Sequence, residues 1–232
     1  MRRIMMLDRA RQNTVSAINQ VSQKSLVRIC NREGAKLNVL FVGNSITYHE
    51  IKSEIGWFGS WGMAASSAEE DYVHQTVKML EKHFGNVSFA IAQLAKWELT
   101  FDAIGEEWKN DYRDIMHFKA DVVVIRMGEN IPEHKISIAQ NYIHGMINFF
   151  SQGCRQIIVT DCFWQRKQLD QMISELCDEC GYTYCCISDL QNDERTMALG
   201  MYEHEGVAIH PSDYGMRQIA RRISEKVNKK DD

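Results

Sequence analysis

The segment "DVVVIRM", residues 121–127, constrains the fold more than any other stretch of the chain. Four β-branched apolar residues, Val122 to Ile125, follow one another without the polar alternation of a half-exposed strand. Such a strand is buried on both faces, which describes the interior of a parallel sheet covered by helices on each side. The rest of the chain agrees. Strands are expected at 37–42, 87–92, 156–160 and 182–187. Helical apolar spacing occupies 66–83, 101–118, 133–151, 166–180 and 211–228, with Ser66 and Ser67 as caps of the first and Pro211 opening the last. This alternation predicts a three-layer α/β/α domain on a mostly parallel sheet of about five strands. Residues 37–232 are assigned to that domain. Residues 1–36 read as an N-terminal helical extension, from the helical character of 8–30 and the polar connection that follows.

Composition narrows the function classes. A chain of 232 residues with 44% hydrophobic content buries a full core. The net charge is −4 and the Lys and Arg residues are scattered, which argues against a nucleic-acid footprint. No apolar run reaches bilayer length, so no membrane partner is expected. The apolar part of the N-terminus, Ile4 to Leu7, is too short for a signal-peptide core, and a cytoplasmic location is expected. Seven cysteines, an odd number, read as reduced thiols. Cys177, Cys180, Cys185 and Cys186 lie close together, but the loop between the pairs is shorter than zinc sites use, so small buried thiols are expected. No metal or organic cofactor is assigned.

In an open α/β sheet, chemistry gathers at the carboxyl ends of the strands. The first of these strands ends at Gly43-Asn44-Ser45, and the apolar central one at Gly128-Glu129-Asn130. The strand at 156–160 ends at Thr160-Asp161, with Trp164 close behind, and the final loop delivers His204, Glu205 and His210. A His deprotonates a Ser hydroxyl, and an Asn amide with backbone N–H groups holds an oxyanion, so these are parts for ester hydrolysis. Each has a plainer reading alone: Ser45 as a turn or cap, Asn130 as a reversal, His210 as a loop residue. Asn44 is placed with the substrate-facing residues. Asp161 either caps the following segment or lines the pocket. Arg126 and Glu129 receive no role, because adjacent strand residues point to opposite faces.

The stretch "EIGWFGSWGMAASS", residues 54–67, sets Trp57, Phe58 and Trp61 among glycines without a helical period. With Trp97 and Trp164 at other strand ends, these indoles suit an aromatic-lined pocket for sugar rings or short acyl groups. Packing that closes the loop onto the body explains any single Trp equally well.

The blocks "VLFVGNSIT", "VVVIRMGEN" and "AIHPSDYGM" resemble, in that order, those of the SGNH, or GDSL-like, hydrolases, over about residues 37–228. The resemblance implies a flavodoxin-like α/β/α fold and hydrolysis of esters or thioesters, often of acetyl or acyl groups on sugars or lipids. It implies Ser45 as nucleophile, His210 as general base, and Asn130 with the Ser45 N–H as oxyanion donors. The family takes a further donor from a Gly after its second strand. Residues 87–99 contain no Gly, so Ala95 or a neighbour is expected to supply that N–H. The family also places an Asp three residues before the His, where this chain has Val207. Either a main-chain carbonyl orients His210, the favoured reading, or Glu205 reaches in, or the protein is an inactive relative that binds a carbohydrate or small ligand. The expected function is a serine esterase for short-chain, acetyl-like esters of small molecules or carbohydrates.

Overall fold

The structure, a computed structural model, describes residues 16–228. Six strands form one sheet: β1 (Val27–Cys30), β2 (Leu37–Gly43), β3 (Val87–Gln93), β4 (Val122–Arg126), β5 (Gln156–Thr160) and β6 (Thr183–Cys185). Their order is β1-β3-β2-β4-β5-β6, parallel throughout except for β1, which pairs antiparallel with β3. The helices are α1 (Tyr72–Phe84), α2 (Ala95–Thr100), α3 (Ile136–Phe150), α4 (Lys167–Cys180), α5 (Glu205–Ala208) and α6 (Asp213–Lys226).

Alternation along β4 divides the interior in two. Val122 and Val124 face α1 and α6, whose Val73, Val77, Leu80, Ile219 and Ile223 complete one core. Val123 and Ile125 face α3 and α4, packing with Ile143, Ile147, Leu169 and Ile173. All four β4 residues are fully buried, and burial of each such side chain stabilises by about 1.5–3 kcal/mol. The doubly covered strand expected from "DVVVIRM" is therefore present, within the three layers anticipated.

The N-terminal segment departs from expectation. Residues 8–15 lie outside the described residues. Residues 16–30 are not a helix: two short 3-10 turns, Ala17–Asn19 and Gln23–Ser25, lead into β1. Among the described residues the sheet thus has six strands rather than about five, and Val27–Cys30, before residue 37, is one of them. Helical spacing misleads there because β1 is an edge strand with an intermediate-exposed-exposed-exposed burial pattern, so no apolar period marks it.

Other boundaries shift for local reasons. Helix α1 begins after Asp71, whose carboxylate accepts the His74 N–H, rather than after Ser66 or Ser67. Helix α6 is capped by Ser212, so Pro211 precedes the cap and does not open the helix. Residues 101–118 contain a 3-10 run, Glu107–His117, and the helical turn there lies earlier, at α2. The cysteines are also less uniform than expected: Cys177 and Cys185 are buried, but Cys180 is half-buried and Cys186 exposed. Among the described residues no helix is long and apolar enough to cross a membrane.

Candidate active site

The carboxyl ends of β2 and β4 converge because both strands run parallel and in register, Gly43 opposite Arg126. Only Gly fits at 43. A Cβ there would stand 2.4 Å from the Arg126 carbonyl oxygen and closer still to the Thr47 hydroxyl. The chain then turns sharply, with the N–H groups of Thr47 and Tyr48 both donating to the Asn44 carbonyl. This turn presents Ser45 at the top of the sheet.

Ser45 meets His210, which arrives 165 residues later from the loop between α5 and α6, with Oγ to Nε2 at 2.9 Å. On the other side of the ring, Nδ1 lies 2.7 Å from the Gly206 carbonyl oxygen. A carbonyl only accepts, so Nδ1 carries the proton and Nε2 turns its lone pair to Ser45. Burial lowers the His210 pKa to about 3 despite that carbonyl, which keeps the ring neutral. Trp164 packs edge-on against the ring, centroids 5.0 Å apart, and its indole N–H donates to the Ile209 carbonyl.

The orienting group is therefore the Gly206 carbonyl. Glu205 does not fill that role; it lines a separate surface depression with Phe58, Met201 and His204. Val207, at the position of the family's Asp, is fully buried against Trp57, Met63, Ala64 and Ala198.

Asn130 is held by Glu98, a residue that sequence reasoning passed over. The Glu98 carboxylate is wholly buried and accepts from the Gly128 N–H (2.8 Å), the Asn130 N–H (2.9 Å), the Asn130 side-chain amide (2.6 Å) and the Asn44 amide (3.0 Å). These bonds fix the whole Gly128-Glu129-Asn130 turn. Gly128 has φ +125°, and a Cβ there would meet the Cys162 sulfur at 2.8 Å. The polarity of the network is set by one backbone group. The Ala95 N–H donates to Gln93 Oε1 (3.0 Å), so Gln93 Nε2 donates to Gln20 Oε1 (2.9 Å) and Gln20 Nε2 faces Asn130 Oδ1 (3.4 Å). Asn130 Nδ2 therefore gives one proton to Glu98, and among the described residues its second has no acceptor, while the residue itself lines the cleft.

Arg126 and Glu129, given no role from sequence, form a buried ion pair at 2.7 Å beneath this turn. Asn44 bridges it, accepting from Arg126 and donating to Glu129 (2.6 Å). Burial alone would raise the Glu129 pKa, but the Arg126 guanidinium holds it well below the ordinary carboxylate range. Burial and the nearby Glu129 charge push Glu98 up to about 7, against four N–H donors that favour its anion.

A cleft of about 280 Å³ opens over Ser45 and His210, walled by Gln20, His49, Met63, Asn130, Trp164 and Arg166 among others. Several expected substrate contacts are elsewhere. Asn44 is fully buried in the ion-pair network and does not face the cleft. The Ala95 N–H is already donated to Gln93, so it is not an oxyanion donor. Trp57 is buried against Trp61 and Tyr202, and the Trp61 N–H donates to the Ala65 carbonyl; both close their loop onto the body. Trp97 packs on Phe101 and Trp108 in the core on the α3 side. Asp161 accepts from the N–H groups of Ile187 and Ser188 and from the Tyr184 hydroxyl, clasping the turn after β6. Of the four Trp expected at the pocket, Trp164 alone lines it.

The architecture has clear counterparts among solved structures. A lipase/acylhydrolase from Enterococcus faecalis superposes with TM-score 0.56 at 12% identity, over 82% of this chain and 94% of that one. This is the SGNH hydrolase fold. The esterase EstA from Pseudoalteromonas sp. has the same SGNH fold at TM-score 0.53 and 10% identity, over 81% of this chain and 94% of that one. A two-domain esterase active on acetylated mannans matches at TM-score 0.50 and 15% identity, over 97% of this chain. This chain spans about half, 52%, of that protein. No protein-family model and no curated protein matches the sequence.

Proposed function

We propose that this protein is a serine esterase that releases short acyl groups through an acyl-enzyme. The observation that carries the reading is the chain Gly206 carbonyl, His210, Ser45, at 2.7 and 2.9 Å. His210 Nε2 removes the Ser45 proton as Oγ attacks the ester carbonyl. The second N–H of Asn130 and the Ser45 backbone N–H receive the developing oxyanion. The imidazolium, its Nδ1 proton held by Gly206, then protonates the leaving alcohol. Water enters and His210 activates it in turn, attacking the acyl-enzyme to free the acid and restore Ser45.

Short acyl groups fit the dimensions. At about 280 Å³ the cleft falls just below the range of ligand sites, about 300 to 1,000 Å³. Its apolar wall is brief, formed by Met63, Ile131, Trp164 and Ile209. The activity of one fold neighbour on acetylated mannans makes acetyl esters the first to test.

The test is hydrolysis of p-nitrophenyl acetate and longer acyl esters by the native protein and by Ser45→Ala. Native activity that falls on the order of 10⁴-fold or more in the variant supports the reading. Equal rates in both proteins would overturn it.

A further inference from the structure

A second histidine stands in the cleft with an unused lone pair. His49 lines the same cavity as Ser45 and is fully buried. Its backbone N–H donates to the Trp61 carbonyl at 3.0 Å, which ties the turn after Ser45 to the tryptophan loop. Its ring Nδ1 lies 2.6 Å from the Glu50 carbonyl oxygen. As with His210, a carbonyl partner places the proton on Nδ1 and leaves Nε2 as a bare acceptor. Burial keeps this ring neutral too, with its pKa lowered to about 4. Among the described residues His49 Nε2 has no hydrogen-bond partner. A buried acceptor without a donor is costly, and a native structure keeps one where something else supplies the donor.

Gln20 lines the same cleft and offers the opposite polarity. Its Oε1 accepts from Gln93, so its Nε2 is the donor end. The only partner described for them is Asn130 Oδ1, at a loose 3.4 Å. The residues that wall the nucleophile therefore include a buried acceptor with no donor and a donor that is only loosely used. That pair complements a hydroxyl group, which donates and accepts at once, and it matches nothing on an alkyl chain.

We propose that His49 and Gln20 form a hydroxyl-binding subsite for the alcohol half of the substrate, so that the enzyme acts on acyl esters of polyols or sugars. The inference rests on the esterase reading above and adds the substrate class to it. A hydroxyl neighbouring the ester donates to His49 Nε2 and accepts from Gln20 Nε2. A lipid or simple alkyl alcohol leaves both groups unpaired.

The experiment compares kcat/KM for 2-hydroxyethyl acetate and glycerol monoacetate with that for propyl acetate, which replaces a hydroxyl by a methyl. The native protein is expected to favour the hydroxylated esters by about 10-fold, the effect of one well-made hydrogen bond. In His49→Phe and in Gln20→Leu the ratio is expected to fall toward one, and His49→Gln, which keeps an acceptor, to restore part of it. The native ratio decides even where one variant does not fold. A native ratio near one overturns the subsite while leaving the esterase reading standing. So does a ratio that persists in both His49→Phe and Gln20→Leu. Failure to hydrolyse any of these esters, together with p-nitrophenyl acetate, removes the esterase reading and the subsite with it.

Discussion

Glu98 and Asn130 are joined twice: the carboxylate accepts both the backbone N–H of Asn130, at 2.9 Å, and its side-chain amide, at 2.6 Å. No other described side chain aims the Asn130 amide as directly, and Glu98 does so from full burial. Glu98→Gln replaces an acceptor oxygen with an NH₂ facing donors. The Gly128-Glu129-Asn130 turn then loses its anchor. A misplaced oxyanion donor costs on the order of 10²-fold in rate. The expected result is a fall of that order in kcat with little change in KM, read by steady-state kinetics on p-nitrophenyl acetate. An unchanged kcat would show that Asn130 is positioned without Glu98.

The pH profile follows from the two buried groups. His210, lowered to about 3 by burial, is an unprotonated base throughout the neutral range. The acid limb of kcat/KM is therefore expected well below the ordinary histidine value. Glu98, pushed up to about 7 by burial and Glu129, is an anion above that pH and neutral below it. Protonation weakens its hold on Asn130. A step upward in kcat/KM is expected near pH 7, and Glu98→Gln should abolish it.

Stability carries the same groups with opposite signs. His49 and His210 have folded values of about 4 and about 3, below the ordinary 6.5. Between those values and 6.5 the unfolded chain binds more protons, so stability rises with pH across that window. Glu98 is raised from 4.5 to about 7, so the folded chain binds more protons there and stability falls with rising pH. Urea unfolding from pH 4.5 to 6.5 is expected to show a larger gain in Glu98→Gln than in the native protein. A smaller gain would contradict the assignment.

Introducing the carboxylate that SGNH hydrolases place before their His should not help. Val207→Asp places a charge among Trp57, Met63, Ala64 and Ala198. The His210 Nδ1 proton is already bound to Gly206. The substitution is expected to destabilise by about 2–5 kcal/mol and to leave kcat no higher. Thermal unfolding beside kinetics checks both. A gain in kcat would show that the carbonyl is an inferior orienting group.

Arg126→Met leaves the Glu129 carboxylate buried without its cation. Breaking such a pair costs about 3–5 kcal/mol, measurable as a lowered urea midpoint. The double variant Arg126→Met with Glu129→Gln is expected to recover part of that loss. No recovery would place the defect in packing rather than in charge.

The layered fold was legible in the sequence because burial on both faces leaves a local signature: four β-branched residues in Val122–Ile125, and apolar stripes on helices between strands. Ser45 and His210 were legible because strand ends and helix starts locate them, and a parallel sheet brings those ends together. The partners of the polar groups were not. Asn44 and Glu98 stand 54 residues apart, and Gln20 and Asn130 stand 110 apart, with no periodicity linking either pair. For Arg126, strand alternation says which face the side chain leaves from. It does not say that a buried carboxylate waits at the end of the strand. The tryptophans erred likewise: a Trp near a strand end enters the cleft or the core according to what packs around it, and Trp164 alone of the four entered the cleft. Local patterning determined the five parallel strands and the placing of Ser45 and His210 at their carboxyl ends. Long-range packing decided the Gly206 carbonyl, the Glu98 anchor and the wall of His49 and Gln20, because each needs groups from distant segments at hydrogen-bond distance, which only the closed tertiary structure brings about.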